Sequence, residues 1–356
     1  MSSMKTVARI NAISGATPAT DVDHDYRQWA QGHLPDPREA RLFGRMAERS
    51  GIEHRWSVLG DDAGLEPGRF YTRDSAPTTG ERMAVYAREA PKLALRAIAG
   101  LPELGNITHL VVASCTGFVA PGVDQLIARA LGLPGDVERL MIGFMGCYAG
   151  ATALRSAGHI VRSDPSARVL VVAIELCSLH LQGDAGLESM LAMAQFSDGA
   201  AAAIVSAEGA GLAIGEGLSA TLEESDTLIT WTIGDTGFAM NLSGEVPGRL
   251  AQALAEPMLT DKVLDGEGAQ AIAAWAVHPG GKSIIDAVER AFRLPAEALA
   301  ESREVLRACG NMSSATILFV LEKIMPRRPA TGVAMAFGPG LAMEGFRFGW
   351  TEGAPA

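Results

Sequence analysis

The chain predicts an α/β fold made of two similar units packed together, and three observations carry that prediction. Short apolar runs alternate with amphipathic helical stretches along its 356 residues, the pattern of a sheet covered by helices. The two halves repeat one order of strand, helix, turn, helix and strand at matching spacing. Apolar residues make up 48% of the chain and charged residues 20%, with 40 glycines, so it is compact, turn-rich and long enough to bury a large core. The expected units are residues 1–210, carrying a nucleophilic cysteine, and 211–356, carrying a histidine and an asparagine.

In order, Val7 to Ile13 reads as a strand, and Pro37 to about Ser50 as an amphipathic helix. On that helix Arg38, Arg41, Arg45 and Arg49 fall within about 80° of one another at about 100° per residue, forming one basic stripe. It reads either as an ordinary solvated face or as a seat for a phosphate-bearing ligand. Thr79 to Ala99 is a long helix that tolerates Pro91, and Leu110 to Ala113 is a buried strand running into Ser114-Cys115-Thr116-Gly117. Gly122 to Leu131 is helical. Leu140, Met141 and Ile142 enter a glycine turn at Gly146, and Cys147 opens a helix reaching about Arg162. Val169 to Ile174, a continuous β-branched run, is a strand buried on both faces.

The second half delivers the same elements. Ala271 to Val277 is a strand leading to His278-Pro279-Gly280-Gly281, Lys282 to Phe292 is a helix, Cys309-Gly310-Asn311 opens another helix over Ser313 to Ile324, and Val333 to Phe337 is the returning strand. Cys115 and Cys147 lie 32 residues apart, and His278 and Asn311 lie 33 apart; Cys147 to Val169 and Asn311 to Val333 are both 22. The repeat makes Cys147 equivalent to Asn311 and Cys115 to His278. All four then converge on strand carboxyl ends, where α/β folds place their sites.

Composition excludes several functions. Only 6% of residues are aromatic and the formal charge is −11, which argues against a nucleic-acid partner. Cys115, Cys147, Cys177 and Cys309 follow no CxxC spacing, and no metal site is expected. Met1 to Thr20 lacks a basic segment followed by an apolar one, and no apolar run is long enough to span a bilayer. The expectation is a cytoplasmic protein with reduced thiols.

Cys147, His278 and Asn311 form a chemical unit. At a helix N-terminus Cys147 is expected to favour the thiolate, an imidazolium beside it stabilises that thiolate, and an asparagine amide donates to a carbonyl oxygen that gains negative charge. The same two donors suit an enolate formed by decarboxylation of a malonyl thioester, which needs no general base. Each residue also has a bland reading: a buried core cysteine, a satisfied structural histidine, a helix-capping asparagine. Their matching repeat positions favour the site.

Gly146-Cys147-Tyr148-Ala149-Gly150, His278-Pro279-Gly280-Gly281, Gly310-Asn311-Met312-Ser313-Ser314-Ala315 and Phe337-Gly338-Pro339-Gly340 resemble the signatures of type III polyketide synthases, the chalcone synthase-like enzymes, through nearly the whole chain. The resemblance implies the duplicated, layered αβαβα thiolase fold and a homodimer. It implies CoA thioesters as substrates and no permanently bound cofactor. Cys147 would carry the acyl chain, and His278 and Asn311 would drive decarboxylation of malonyl-CoA. Phe196, in Gln195-Phe196-Ser197-Asp198-Gly199, matches an aromatic gate between the CoA tunnel and the cavity, where composition alone reads a core phenylalanine. Arg45 and Arg49 match positions that bind CoA phosphates, whereas Leu42 replaces a third basic residue. Met240 replaces a second gatekeeper phenylalanine, and Trp231 stands near a position plant members keep as glycine. Cys115, Cys177 and His180 match cavity positions where plant members have threonines, Gly338 belongs to the glycine–proline loop, and Ala120 leaves open a wall the family often fills from the partner subunit.

The leading expectation is an iterative condensing enzyme that extends an acyl-CoA starter with malonyl-CoA. Met240 and the Met- and Leu-rich segment Leu187 to Met193 favour a fatty acyl starter and an alkylpyrone or alkylresorcinol product. Cys115 and Cys177 keep open a malonyl-primed synthase making tetrahydroxynaphthalene or phloroglucinol. A ketoacyl synthase III of fatty-acid initiation and a non-catalytic acyl-binding protein are the more distant alternatives.

Overall fold

The computed structural model describes residues 6–60, 70–71, 76–183 and 186–353. Its first half runs through β1 (Arg9–Ala16), the short β2 (Thr20–Asp21), α1 (Asp23–His33), α2 (Pro37–Glu48), the short β3 (Trp56–Ser57), α3 (Thr79–Ala99), β4 (His109–Ser114), α4 (Val123–Ala130), β5 (Glu138–Gly143), α5 (Ala149–Ser163), β6 (Arg168–Leu176), α6 (Leu187–Met193) and β7 (Asp198–Ser206). The second half follows as β8 (Gly211–Thr221), the hairpin β9 (Ile229–Gly234) and β10 (Gly237–Leu242), α7 (Val246–Ala255), α8 (Pro257–Leu264), β11 (Ala274–Val277), α9 (Lys282–Phe292), α10 (Ala300–Cys309), α11 (Thr316–Ile324), β12 (Gly332–Gly338) and β13 (Ala342–Thr351).

The repeat read from spacing is a repeat of strand pairing. In the first half β4 pairs parallel with β6, β6 antiparallel with β7, and β7 antiparallel with β1. In the second, β11 pairs parallel with β12, β12 antiparallel with β13, and β13 antiparallel with β8. The two sets join where Arg9 and Ile10 of β1 pair with Ala213 and Leu212 of β8, giving the order β11-β12-β13-β8-β1-β7-β6-β4-β5. The first half adds β5 as an edge strand, and α10 stands before Asn311 where the repeat would put its counterpart.

Side-chain alternation builds the layers, because neighbours along a strand point to opposite faces. On β6, Leu170, Val172 and Ile174 pack under α3 and α4, while Val169, Val171 and Ala173 face α5 and α11. The same α5–α11 pair is covered from the other side by Ala274, Ala276, Ala334 and Phe346 of the second half. Trp275, Val277, Val333 and Met335 point outward, under α7, α9 and α10. The result is five layers, αβαβα, with α5 and α11 as the shared middle: the duplicated thiolase arrangement. A smaller core, with Tyr26, Phe43, Met190 and Met193, joins α1 and α2 to α6 over the mouth of the site.

Parallel pairing of β4 with β5 and β6, and of β11 with β12, sends these carboxyl ends to one side. Cys115, the turn to Cys147, Cys177, His278 and Gly338 all lie there. No described helix is long and apolar enough to cross a membrane.

Candidate active site

The turn after β5 is built for one residue. Gly146 has φ +81°, and a Cβ there would overlap the Pro339 ring; only glycine meets both demands. Gly338 lies so close that a Cβ on it would come 2.7 Å from Tyr148 Cδ1 and 3.3 Å from the Cys147 nitrogen. Opposite, a Cβ on Gly150 would strike the Ser314 carbonyl, so α5 meets the short turn Ser313–Ala315 at backbone distance. The glycines thus bring the two repeat-related turns, and with them Cys147 and Asn311, together.

Cys147 is the second residue before α5, whose N-cap is Tyr148, rather than its first helical residue as its spacing suggested. Burial pushes its thiol up to about 11, against lowering hydrogen bonds from the Ser313 and Asn311 side chains, with the charge of Glu175 adding to the rise. The expected thiolate-stabilising helix end is therefore outweighed by desolvation. His278 follows β11 with its backbone N–H donating to Met335 O at 2.8 Å. It is 1% exposed, burial pushes its pKa down to about 3, and neither ring nitrogen has a partner among the described residues. A buried imidazole with both nitrogens unspent is rare in a packed interior. Asn311 is held from both ends: its N–H donates to Gln195 O at 2.8 Å and its carbonyl accepts from Ser197 N at 2.9 Å. Its Oδ1 accepts from Ser313 N at 2.8 Å and its Nδ2 donates to Gly280 O at 3.1 Å. One amide hydrogen remains, on the side of the Cys147 thiol.

These three residues line a cavity of about 750 Å³. Phe196, Cys115, Cys177, His180, Trp231, Met240 and Gly338 line it too. Cys115 is not aimed freely into the cavity: its thiol donates to Gly146 O at 3.3 Å and accepts from Gly146 N at 2.9 Å, and burial beside Glu175 holds its pKa far above the usual thiol value. His180 donates from Nε2 to Thr116 O at 2.8 Å and accepts at Nδ1 from Phe238 N at 3.0 Å. Trp231 Nε1 donates to Cys115 O at 2.9 Å, and Met240 is its cross-strand partner in the β9–β10 hairpin. The cavity wall does not include Arg45 or Arg49. Both are exposed at the C-terminal end of α2, whose Met46 does reach the wall.

Sequence reasoning missed several buried polar residues. Glu175, at the end of β6, is fully buried and accepts from Cys115 N at 2.9 Å, Thr116 Oγ1 at 2.8 Å and Ser314 Oγ. Burial pushes it up to about 7, against those hydrogen bonds. A lone acid closing the apolar run Val169 to Ile174 was the signal available for it. Asp198 accepts from Ser178 N, Ser178 Oγ and Val58 N, and burial raises it to about 6. Arg55, also in the wall, is 2% exposed. Among the described residues no three His, Cys, Asp or Glu side chains group as a metal site requires.

This arrangement suits acyl transfer to a thiol and charge build-up on a carbonyl oxygen between an imidazole and an amide. The chain is matched over residues 3–209 by the description "Chalcone and stilbene synthases, N-terminal domain" and over residues 214–349 by the corresponding C-terminal domain. An "alpha-pyrone synthesis polyketide synthase-like" protein of Mycobacterium tuberculosis, Pks18, is 34% identical over 96% of this chain and 91% of its own. Among solved structures, PKS-I of the brown alga Ectocarpus siliculosus superposes with TM-score 0.88 at 29% identity, covering 98% of this chain and 100% of that one. The C-terminal type III polyketide synthase domain of Steely1, a type I/III hybrid from Dictyostelium, superposes with TM-score 0.85 at 26% identity, covering 96% and 99%. The chain belongs to the chalcone and stilbene synthase family, the type III polyketide synthases.

Proposed function

We propose that this synthase loads a fatty acyl group from its CoA thioester onto Cys147, extends it with malonyl-CoA and releases an alkylpyrone or alkylresorcinol-type product. The observation that carries the reading is the conjunction, in one 750 Å³ cavity, of Cys147, a His278 with two unspent nitrogens and a wall of apolar side chains including Met46, Leu191, Met193, Ile229 and Met240. An apolar wall suits an alkyl chain. The alpha-pyrone synthesis for which the mycobacterial relative is named supports the same product class.

In the loading step Cys147 sulfur bonds to the acyl carbon, its proton passes to His278, and CoA leaves as the thiol after taking that proton back. Malonyl-CoA then binds with its thioester oxygen between His278 and the Asn311 amide. Breaking the carboxyl C–C bond releases CO₂ and leaves the electron pair as an enolate held by those donors. That carbanion attacks the Cys147 thioester, forming a C–C bond and freeing the cysteine for the next round. Phe196 stands between CoA and cavity, and Arg45 and Arg49, exposed on the helix that sends Met46 to the wall, hold CoA phosphates. The enzyme acts as a homodimer, and its unpaired thiols Cys115, Cys147 and Cys177 suit a reducing compartment such as the cytoplasm.

Malonyl-CoA incubated with acyl-CoAs of increasing chain length, with products identified by mass, tests this. Several malonyl units on a long acyl starter, absent with C147A, are expected. Efficient product from malonyl-CoA alone would favour the malonyl-primed alternative, and a single condensation requiring carrier protein would exclude iteration.

A further inference from the structure

Arg55 is a buried cation with an unusual set of partners. It immediately precedes β3 and is 2% exposed. Its Nε donates to Asp23 Oδ1 at 2.8 Å, and its guanidinium lies 4.3 Å from the centre of the Tyr26 ring. Both partners belong to α1, and the Tyr26 hydroxyl donates onward to Met190 O of α6 at 2.8 Å. The other arm of the fork leaves the N-terminal cap: Nη1 donates to Met193 O at 3.0 Å, where α6 ends, and to Phe196 O at 3.2 Å. A cation on the last carbonyls of a helix is favourably placed.

Phe196 is not an isolated loop residue. It pairs as a bridge with Asn311, whose N–H and carbonyl bond Gln195 and Ser197 on either side of it. The residue before Asn311, Gly310, leaves just enough room for the arginine stem: a Cβ there would lie 3.1 Å from Arg55 Cγ. The next residue after Arg55 completes the brace, with Trp56 N donating to Ser197 Oγ at 2.6 Å and Trp56 Nε1 to Ala308 O at 2.9 Å. A buried ion pair is weak evidence for stability, since apolar replacements of equal volume are often no less stable. What this one supplies is a fixed position for the backbone that carries the gate and the catalytic amide.

We propose that Arg55 is a positioning residue for decarboxylation, its forked guanidinium holding the Phe196 carbonyl and thereby the Asn311 amide at the distance the enolate oxygen requires. The proposal rests on the assignment of Asn311 as an oxyanion donor. Lysine at this position keeps the charge but has one nitrogen, and cannot reach Asp23 and both carbonyls together. The test uses the full chain with R55K, R55M and N311A. Conversion of malonyl-CoA to acetyl-CoA is measured for kcat and KM, and alkylation of Cys147 by iodoacetamide is measured beside it, because alkylation forms no enolate and calls on the Asn311 amide only as one hydrogen bond to the thiol.

A shift of about an ångström in a catalytic donor costs on the order of 100-fold, so R55K and R55M are expected to lose about that factor in kcat, with KM unchanged and the alkylation rate changed far less. Rescue of decarboxylation by R55K would overturn the proposal, and so would parallel loss of decarboxylation, alkylation and thermal stability, the mark of a merely structural residue. If R55M does not fold, R55K decides alone. An N311A enzyme that still decarboxylates overturns the active-site reading itself, whereas an inactive N311A beside a fully active R55K removes only the role of Arg55.

Discussion

Desolvation is the chief force keeping both Cys147 and His278 uncharged: the thiol is held up to about 11, with Glu175 adding to the rise, and the imidazole down to about 3. Moving the proton from sulfur to nitrogen creates an ion pair whose attraction between two buried groups is several times stronger than at the surface. The thiolate needed at neutral pH therefore depends on His278, and H278Q is expected to slow iodoacetamide inactivation at pH 7 by about 100-fold, in the range of lost acid–base catalysis, and to move its midpoint to higher pH. An unchanged profile would mean that the thiolate forms without the imidazole. His180 is the contrasting histidine. It donates from Nε2 and accepts at Nδ1, so only one neutral tautomer satisfies both bonds. H180L strands the Thr116 carbonyl and the Phe238 N–H, a loss of about 1–3 kcal/mol for each orphan, which urea unfolding would register. A variant as stable as the parent would show that those bonds are dispensable.

The decisive element is the turn between β5 and α5. G146A forces a side chain into φ +81° and against Pro339. The backbone term alone is about 1–2 kcal/mol, and relief of the overlap moves the Gly338–Pro339 loop off Cys147. Activity is expected to fall much further than thermal stability; equal retention of both would show that the turn has slack. The turn was legible in sequence because glycine needs leave a mark, and so were α3 and α9, found at their expected bounds. α3 begins with a capping box in which Thr78 and Glu81 each bond the other's backbone, and Pro91 sits inside it without ending it. Other elements left no such mark. β7 contains Ala200 to Ala203, the residue type best suited to helices, yet is a central strand, because small side chains fit between α3 on one face and α5 with α11 on the other. Arg55 follows Glu53 and His54 and looks like a surface residue; its meaning comes from carbonyls about 140 positions away. The convergence of Cys147, His278 and Asn311 on one cavity was legible because a duplicated backbone repeats its spacing even where its chemistry has diverged.

At the scale of the whole molecule, buried titrating groups set the pH dependence of stability. His180 and His278, near 3 when folded against 6.5 in a free side chain, bind fewer protons folded than unfolded between those values, so they add stability as pH rises from 3 to 6.5. Glu175, near 7 against 4.5, and Asp198, near 6 against 3.8, hold protons that the unfolded chain has released, and remove stability as pH rises through those windows. The two pairs oppose each other in full between about pH 4.5 and 6, where a flat profile is expected, while E175Q should gain stability as pH rises across that range. A parent and variant with the same slope would show that Glu175 titrates normally.

The last whole-molecule property concerns the open edge at β5. Leu140 is 42% exposed and Met141 39%, and Phe118, packed against Gly143 at the end of the same strand, is 45% exposed. Consecutive strand residues face opposite sides of the sheet, so exposure of both Leu140 and Met141 leaves both faces open at this pair, although β4, the one strand beside it, is buried on both. A sheet edge that is apolar, unpaired and uncovered on two faces invites association. The homodimer proposed above would cover this edge with a second copy of the chain. The same strand leads within four residues of its end to Cys147, so an interface here also braces the nucleophile's turn. Light scattering is expected to give twice the 37.3 kDa chain mass for the parent, and the chain mass for an L140E/M141K variant. That monomer should keep its far-ultraviolet circular dichroism and lose condensation activity, because the β5 edge is no longer held. A parent that runs as a monomer would remove the dimer, and a fully active monomeric variant would separate the interface from the turn it adjoins.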